Sequence, residues 1–222
     1  MMEQVTQSLA GRAGILTIYG LSSREVPRKD LGVDDIRLSK FLLKGTYPAL
    51  WASPEIEPRD WFGSYVQTYF ERDVRRLAQV GDLAAFERFV RACAIRTAQT
   101  LNISDLSSDT GVSQETARRW LSILQATHIV FTLQPWFTNL TSRIKKAPKL
   151  YFLHCGLAAY LMDFKEKTSI LNSPQLGALF EPLVLTDVYK NLSIQGNRPE
   201  IYYLQTKSKI GADLVIPHNE SG

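Results

Sequence analysis

The stretch from Asn102 to Ala126, NISDLSSDTGVSQETARRWLSILQA, constrains most strongly what this chain can fold into. Its apolar residues recur at helical spacing in two short runs, which predicts two amphipathic helices. Gly111 separates the runs where a tight turn needs a residue that is free to adopt positive φ. Ser113 is a good N-cap for the second helix. The pattern therefore predicts a helix-turn-helix.

Two further apolar runs follow this pair of helices. Residues 128–136 and 150–153 are rich in β-branched and aromatic side chains, which predicts two paired strands. The residues between them are polar and basic. A helix-turn-helix followed by a β-hairpin is a winged helix, so we expect the basic segment to form its wing.

The basic charge of the chain is concentrated in this predicted wing. The chain has 26 Lys and Arg against 22 Asp and Glu, a net charge of +4. Residues 137–151 carry four of the basic residues and no acid, so the rest of the chain is neutral in sum. A concentrated basic patch indicates nucleic-acid binding more strongly than diffuse basicity.

We expect the second helix and the wing to contact double-stranded DNA. The helix would approach the major groove or its phosphates, and the wing would contact the backbone or the minor groove. The predicted nucleic-acid-binding residues are Arg118, Arg119, Arg143, Lys145, Lys146 and Lys149. The alternative is that this region is an interaction module that holds other domains together.

Several segments resemble a large prokaryotic family in which an AAA+-like P-loop ATPase precedes a region called DUF4143. They are SLAGR at 8–12, IYGLSSRE at 18–25, YVQTYFERDVRRL at 65–77 and RTAQTLNISDLSSDTGVSQETARRWLSIL at 96–124. The chain departs from the family pattern at Gly20, where the family has Pro, and at His154, where it usually has Asp. The resemblance implies that a nucleotide-binding domain lies upstream of this chain.

The chain itself contains no G-x-x-x-x-G-K-[ST] motif. We therefore expect a fragment that binds no ATP and is not catalytic alone, with ATP and a divalent metal used only by the intact family protein. In that family Arg12 would be a nucleotide-sensing arginine, and the alternative is a structural surface arginine. Glu71, Arg72 and Asp73 form either a catalytic cluster or, more simply, a solvated helix face.

The C-terminal part resembles the first half of a PD-(D/E)XK nuclease-like fold, as DUF4143 regions do. A helix over 177–192 carries Glu181, and two predicted strands, 200–205 and 213–216, follow, with Asp213 at the head of the second. Such a pair of carboxylates can hold a hard cation through oxygen ligands. Gly211 stands where the resemblance places another acid, and the strand that would carry the lysine is absent. Glu181 and Asp213 are therefore weak metal-ligand candidates.

The expected fold is mainly α with small β parts, in four regions. Residues 1–45 are the end of an ATPase domain, and 46–82 a linker with a long amphipathic helix. Residues 83–165 are the winged helix-turn-helix, and 166–222 a truncated nuclease-like module. Shorter expectations within these regions are a buried strand at Ile15–Tyr19, linkers at 41–58 and 163–176, and a helix after His154 that this residue caps.

Other features of the sequence limit the expected cellular compartment and binding partners. No apolar run of about 18 residues is present, so no spanning helix and no membrane contact are expected. Cys93 and Cys155 lie in apolar contexts, which favours free thiols and a cytoplasmic location over a disulfide. The three histidines, His128, His154 and His218, lack zinc-ligand spacing. A homo-oligomer is compatible with the sequence.

Three functional hypotheses remain open at this point. The first is a DNA-binding or scaffolding winged-helix region. The second is a metal-dependent nuclease-like enzyme. The third is a structural fragment that makes no contact with nucleic acid.

Overall fold

Helices surround a curled five-stranded sheet, so the fold is mixed α+β as expected. The computed structural model describes residues 17–26, 34–74, 82–136, 147–194, 199–205 and 211–217. The helices are α1 (Asp34–Lys44), α2 (Pro48–Ala52), α3 (Pro58–Thr68), a π-helix (Tyr69–Val74), α4 (Leu83–Ile95), α5 (Ile103–Thr110), α6 (Gln114–Ala126), α7 (Cys155–Leu161), α8 (Lys167–Leu171) and α9 (Leu176–Ser193). The strands are β1 (Gln99–Thr100), β2 (Val130–Pro135), β3 (Lys149–Phe152), β4 (Tyr202–Gln205) and β5 (Gly211–Val215).

The sheet order is β1-β3-β2-β4-β5. Strands β1 and β2 both pair antiparallel with β3, which confirms the predicted pairing of the two runs after α6. Strand β4 joins the other edge of β2 in parallel, and β5 pairs antiparallel with β4. The C-terminal hairpin therefore extends the same sheet that the central strands begin.

Helices α5 and α6 form where the sequence predicts them, because both carry good caps. Asn102 Oδ1 accepts hydrogen bonds from the amides of Ser104 and Asp105, and Ser113 Oγ accepts one from Thr116. Gly111 ends α5 with φ of 71°, in the left-handed region that glycine adopts without a Cβ penalty. Asp82 caps α4 in the same way, because its side chain accepts a hydrogen bond from the amide of Ala85.

The largest hydrophobic core connects the N-terminal helices with the central ones. It takes side chains from Leu42 in α1 to Leu179 in α9. Within it, Trp120 of α6 meets Phe86 and Phe89 of α4 edge to face, at centroid distances of 5.3 and 5.5 Å. Both predicted free thiols, Cys93 and Cys155, are buried and unpaired, as expected.

The N-terminal part differs from the sequence expectation. Residues 17–19, the described part of the predicted strand, form no strand, and Ile18 is 94% exposed. Residues 41–58, predicted to be a linker, instead contain the end of α1 and all of α2. Leu42 and Leu50 are fully buried there, because Gly45 and Pro48 mark a helix-to-helix turn rather than a loose connection.

Further along, the predicted linker 163–176 contains α8, whose Ile170 is fully buried. Pro182 lies inside α9. His154 precedes α7 as predicted but makes no capping hydrogen bond, because its ring bonds Thr46 instead. No helix among the described residues is long and apolar enough to cross a membrane.

Helix α9 holds the N-terminal segment, residues 17–26, against the fold. Asp187 accepts hydrogen bonds from the amide and the hydroxyl of Ser23, at 2.6 and 2.7 Å. Lys190 Nζ donates to the carbonyl of Leu21 at 3.2 Å. The N-terminal segment and the C-terminal helix α9 are therefore in direct contact.

Candidate functional site

Helix α6 carries the predicted base- and phosphate-facing residues on its exposed side. Its buried side consists of Ala117, Trp120, Leu121 and Leu124. Arg118 and Arg119 are both exposed, as the helical spacing predicts. Arg118 Nη2 donates a hydrogen bond to Gln114 Oε1 at 3.2 Å, one turn earlier, which orients the guanidinium along the helix. Both guanidinium groups can therefore reach a ligand from solvent.

The other predicted cationic residues divide into two groups. Arg143, Lys145 and Lys146 lie between β2 and β3, in the segment 137–146, outside the described residues. Lys149 is described, and it occupies a different environment. It is the first residue of β3, and its side chain is only 14% exposed.

Lys149 joins the two carboxylates that the sequence offers as weak metal ligands. Its Nζ lies 3.0 Å from Glu181 Oε1 in α9 and 2.8 Å from Asp213 Oδ1 in β5. The hydroxyl of Tyr151, two residues along β3 from Lys149, donates to the same Glu181 oxygen. We call Lys149, Tyr151, Glu181 and Asp213 the acid–lysine cluster. It connects three elements, β3, α9 and β5.

The opposite charges in the acid–lysine cluster stabilise one another. Burial lowers the pKa of Lys149, but the hydrogen bonds and negative charges of Asp213 and Glu181 outweigh it, so this pKa lies above its usual value. Burial, followed by the bond to Glu181, raises the pKa of Tyr151. At neutral pH Lys149 is therefore a cation that balances the charge of Glu181. Tyr151 is a neutral hydroxyl that donates a hydrogen bond to Glu181.

The ammonium of Lys149 occupies the position between two carboxylate oxygens that a hard cation would take. Among the described residues no group of three or more His, Cys, Asp or Glu could hold a metal ion. The sequence pattern paired Glu181 with Asp213 as metal-ligand candidates and did not predict that Lys149 contacts both. Lys149 is 32 residues from Glu181 and 64 from Asp213, so no local motif signals the contact.

A second polar cluster, Thr46, His154 and Lys190, is more deeply buried. Lys190 is 3% exposed, and its Nζ donates to Thr46 Oγ1 at 2.9 Å. Thr46 Oγ1 also lies 2.8 Å from His154 Nδ1. Because the ammonium can only donate, the hydroxyl proton of Thr46 is free to point at His154 Nδ1. We call these three residues the buried relay.

Burial shifts both ionisable groups of the relay toward their neutral forms. It lowers the pKa of His154 to about 3, and the nearby charge of Lys190 acts in the same direction. It lowers the pKa of Lys190 to about 8, against the opposing influence of Cys155, Asp187 and Glu25. Nδ1 of His154 can accept the hydrogen bond from the Thr46 hydroxyl only when the imidazole is neutral.

The remaining predicted residues are the two cysteines, the Glu71–Arg72–Asp73 cluster, Arg12 and His218. Burial raises the pKa of Cys93 to about 12 and that of Cys155 to about 11, so neither thiol is a nucleophile at neutral pH. Arg72 is exposed on the π-helix, and the side chains of Glu71 and Asp73 lie outside the described residues. Arg12 and His218 also lie outside them.

Comparison with known proteins overturns the family resemblance. The profile of a family described as "Domain of unknown function (DUF8612)" matches residues 35–168. The resemblance to AAA+-like ATPases with a DUF4143 region is therefore wrong. The expectations of an upstream ATPase domain and of ATP in the intact protein lose their basis with it.

Two curated relatives are "Uncharacterized protein Rv2008c" of Mycobacterium tuberculosis and "Uncharacterized protein Mb2031c" of Mycobacterium bovis. Each is 28% identical over 211 residues, which cover 95% of this chain and 46% of the relative. The chain thus spans about half the length of these relatives. No solved structure matches it significantly. The match over residues 35–168 shows that this chain belongs to the DUF8612 family.

Proposed function

We propose that residues 83–152 form a winged helix that binds double-stranded DNA mainly through its phosphates. The observation that carries this proposal is the exposed pair Arg118 and Arg119 on α6, followed at once by the antiparallel strands β2 and β3. The connection between these strands carries Arg143, Lys145 and Lys146. Cations on a helix and on the adjacent hairpin are the usual footprint of such a module.

The order of elements supports the same proposal. It runs α4, β1, α5, α6, β2, β3, with β1 added to the outer edge of β3. A helix pair, α5 and α6, followed by an antiparallel strand pair, with α6 in contact with β2, is the order typical of a winged helix and supports the proposal. The packing of Trp120 against α4 fixes the buried side of α6 and leaves its polar side in solvent.

Binding through phosphates is favoured over base readout. The exposed side of α6 offers two guanidinium groups, the amide of Gln114 and the carboxylate of Glu115, whereas most of the basic charge lies in the following segment. Phosphate contacts are independent of sequence and release counterions, so affinity should fall steeply with salt. Lys149 is ion-paired in the acid–lysine cluster. The proposal therefore rests on the other five cationic residues.

The test is the salt dependence of binding to a fluorescent 20-base-pair duplex, measured by anisotropy between about 50 and 200 mM salt. Arg118→Ala/Arg119→Ala and Arg143→Ala/Lys145→Ala should each reduce the slope of log K against log salt by about 2, one unit for each phosphate contact. Arg118→Lys/Arg119→Lys should restore most of the binding.

The matched control is Arg59→Ala/Lys165→Ala, which removes the same charge from exposed residues that pair with Asp163. It should leave the slope unchanged. If the control weakens binding as much as the two double variants do, the interaction reflects net charge alone. An absence of binding at low salt would instead favour the alternative, a scaffolding module without nucleic-acid contact.

A further inference from the structure

The centre of the exposed side of α6 follows from its helical geometry. The side that faces the core is defined by Ala117, Trp120, Leu121 and Leu124. At 3.6 residues per turn, each residue is rotated by about 100° from the one before it. Glu115 and Ser122, which are seven residues apart, therefore lie nearly opposite the buried side chains, and both are exposed.

The two arginines of α6 lie on either side of Glu115. Arg118 follows Glu115 by three residues and Arg119 by four, so they lie about 60° to one side of it and about 40° to the other. All three side chains are exposed. The exposed side of α6 thus has an acid at its centre and a cation on each flank.

The carboxylate of Glu115 is available to a ligand. Among the residues that the structure describes, it makes no hydrogen bond and no ion pair. Arg118 and Arg119 lie at spacings that would allow an ion pair with it. Arg118 donates to Gln114 instead. Glu115 also stabilises the first turn through the helix dipole, and that effect requires no ligand.

Ser122 adds a second hydrogen-bond acceptor at the centre of this side. Its hydroxyl donates to the main-chain carbonyl of Arg118 at 3.0 Å. A serine hydroxyl has one proton, so its oxygen then offers only lone pairs. An ionised carboxylate can also only accept. We call Glu115 and Ser122 the acceptor line, because both accept hydrogen bonds and neither donates one to a ligand.

The acceptor line limits how α6 can meet DNA. A helix in the major groove turns the centre of its exposed side toward the base edges and its flanks toward the phosphates of the groove walls. This orientation places Arg118 and Arg119 near phosphates and Glu115 near bases. An orientation with Glu115 at a groove wall would set a carboxylate against phosphates of the same charge.

We propose that α6 prefers a cytosine at the position that faces Glu115, whose carboxylate accepts a hydrogen bond from the cytosine N4 amine. Phosphate contacts then supply most of the affinity, and this contact supplies a base preference. The inference rests on the proposed function and deepens it, because it requires α6 to enter the major groove.

The choice of cytosine follows from the groups that bases present in the major groove. Guanine presents two acceptors, N7 and O6, and thymine presents an acceptor and a methyl group. Only the N4 amine of cytosine and the N6 amine of adenine donate. Adenine also carries the acceptor N7 beside its amine, which would repel the second carboxylate oxygen. Cytosine presents no acceptor there, so it is the better partner for Glu115.

The experiment identifies the preferred bases directly. The full chain is mixed at about 50 mM salt with duplexes that carry a random central segment of about 10 base pairs, and the bound and unbound fractions are sequenced. Cytosine should be enriched about fivefold or more at one position. Glu115→Gln should shift this enrichment to adenine, because an amide pairs with both N6 and N7. Glu115→Ala should abolish it.

Asp105→Asn is the matched control. It removes the same charge from another exposed acid in the first turn of a helix, α5. Both substitutions weaken the favourable interaction with a helix dipole. Asp105→Asn should leave the base preferences unchanged. A purely structural role of Glu115 cannot produce a change from cytosine to adenine, so the identity of the enriched base separates the two roles.

Two results would overturn the inference and leave the proposed DNA contact in place. One is an equal enrichment of cytosine by Glu115→Ala and by the unchanged chain. The other is an absence of enrichment when the unchanged chain retains duplexes with the expected salt dependence. If the unchanged chain retains no duplex at low salt, the proposed DNA contact is wrong, and the inference is wrong with it.

Discussion

Lys149 and Glu181 lie 32 residues apart in the sequence, and their charged ends meet at 3.0 Å. Their side chains are 14% and 24% exposed, so solvent screens the pair only partly. Glu181 also accepts a hydrogen bond from the hydroxyl of Tyr151. The contact ties the C-terminal helix to the central sheet, and its removal should therefore affect stability.

We expect Lys149→Met to lower the free energy of unfolding by about 1–3 kcal/mol, because it leaves a half-buried carboxylate without its cation. Adding Glu181→Gln should recover part of this loss, since the amide oxygen still accepts from Tyr151. Urea denaturation of the two single variants and the double variant forms a complete cycle. Strictly additive losses would show that the pair does not interact.

Asp213 provides the internal comparison for that cycle. Its side chain is 68% exposed, although its Oδ1 lies 2.8 Å from the same ammonium. An exposed partner contributes little because water screens it, so Asp213→Asn should cost less than about 1 kcal/mol. If Asp213→Asn lowered the free energy of unfolding more than Glu181→Gln does, the more exposed carboxylate would be the stronger partner of Lys149, contrary to this prediction.

The buried relay should make stability depend on pH. The pKa of His154 is about 3 in the folded protein and about 6.5 in an unfolded chain. Between these values the unfolded state binds more protons, so the stability from neutral His154 is complete above pH 6.5 and is lost as the pH falls toward 3. At pH 5.5 the loss should be about 1.4 kcal/mol relative to pH 7.5.

His154→Asn should flatten this dependence, whatever its effect on stability at pH 7.5. His128→Asn is the control, because His128 is exposed and its φ of 56° is one that Asn tolerates well. Urea midpoints at several pH values provide the measurement. A slope between pH 5.5 and 7.5 that His154→Asn leaves intact would assign the effect to other groups.

Thr46 is the central hydroxyl of the relay. Thr46→Val keeps the side-chain shape but leaves Lys190 Nζ and His154 Nδ1 each without one buried partner. We expect a loss of about 1–3 kcal/mol. Thr186→Val is the control. Thr186 is also buried, but its hydroxyl makes only a 3.3 Å bond to a carbonyl of its own helix, so the loss there should be smaller.

Two glycines should respond to alanine in opposite ways. A Cβ on Gly156 would lie 2.5 Å from the amide nitrogen of Gly45, a backbone atom that cannot move aside. Gly156→Ala should therefore destabilise by several kcal/mol. Gly177, in the first turn of α9, has nothing within 4 Å of the same position. Gly177→Ala should stabilise by about 0.4–1 kcal/mol, and thermal melts of both variants check the pair.

Local signals explain which elements the sequence predicted well. The caps Asn102 and Ser113 and the turn at Gly111 act within a few residues, so they fix α5 and α6 wherever the segment lies. The β-branched and aromatic content of β2 and β3 likewise specifies strands. Residues 41–58 and 163–176 were wrongly predicted to be linkers, because their Gly, Pro and polar residues are typical of loops. The helices there are stabilised by the burial of Leu42, Leu50 and Ile170, which depends on distant helices.

The sequence by itself determined the α+β class, the helices around Gly111, the central strand pair and the exposure of Arg118 and Arg119. These follow from periodicity, capping and turn chemistry over short distances. The tertiary structure decided the partners of Lys149 and the burial of Lys190 beside Thr46. Each of these depends on which residues distant in sequence come together, and that depends on packing rather than on local preference.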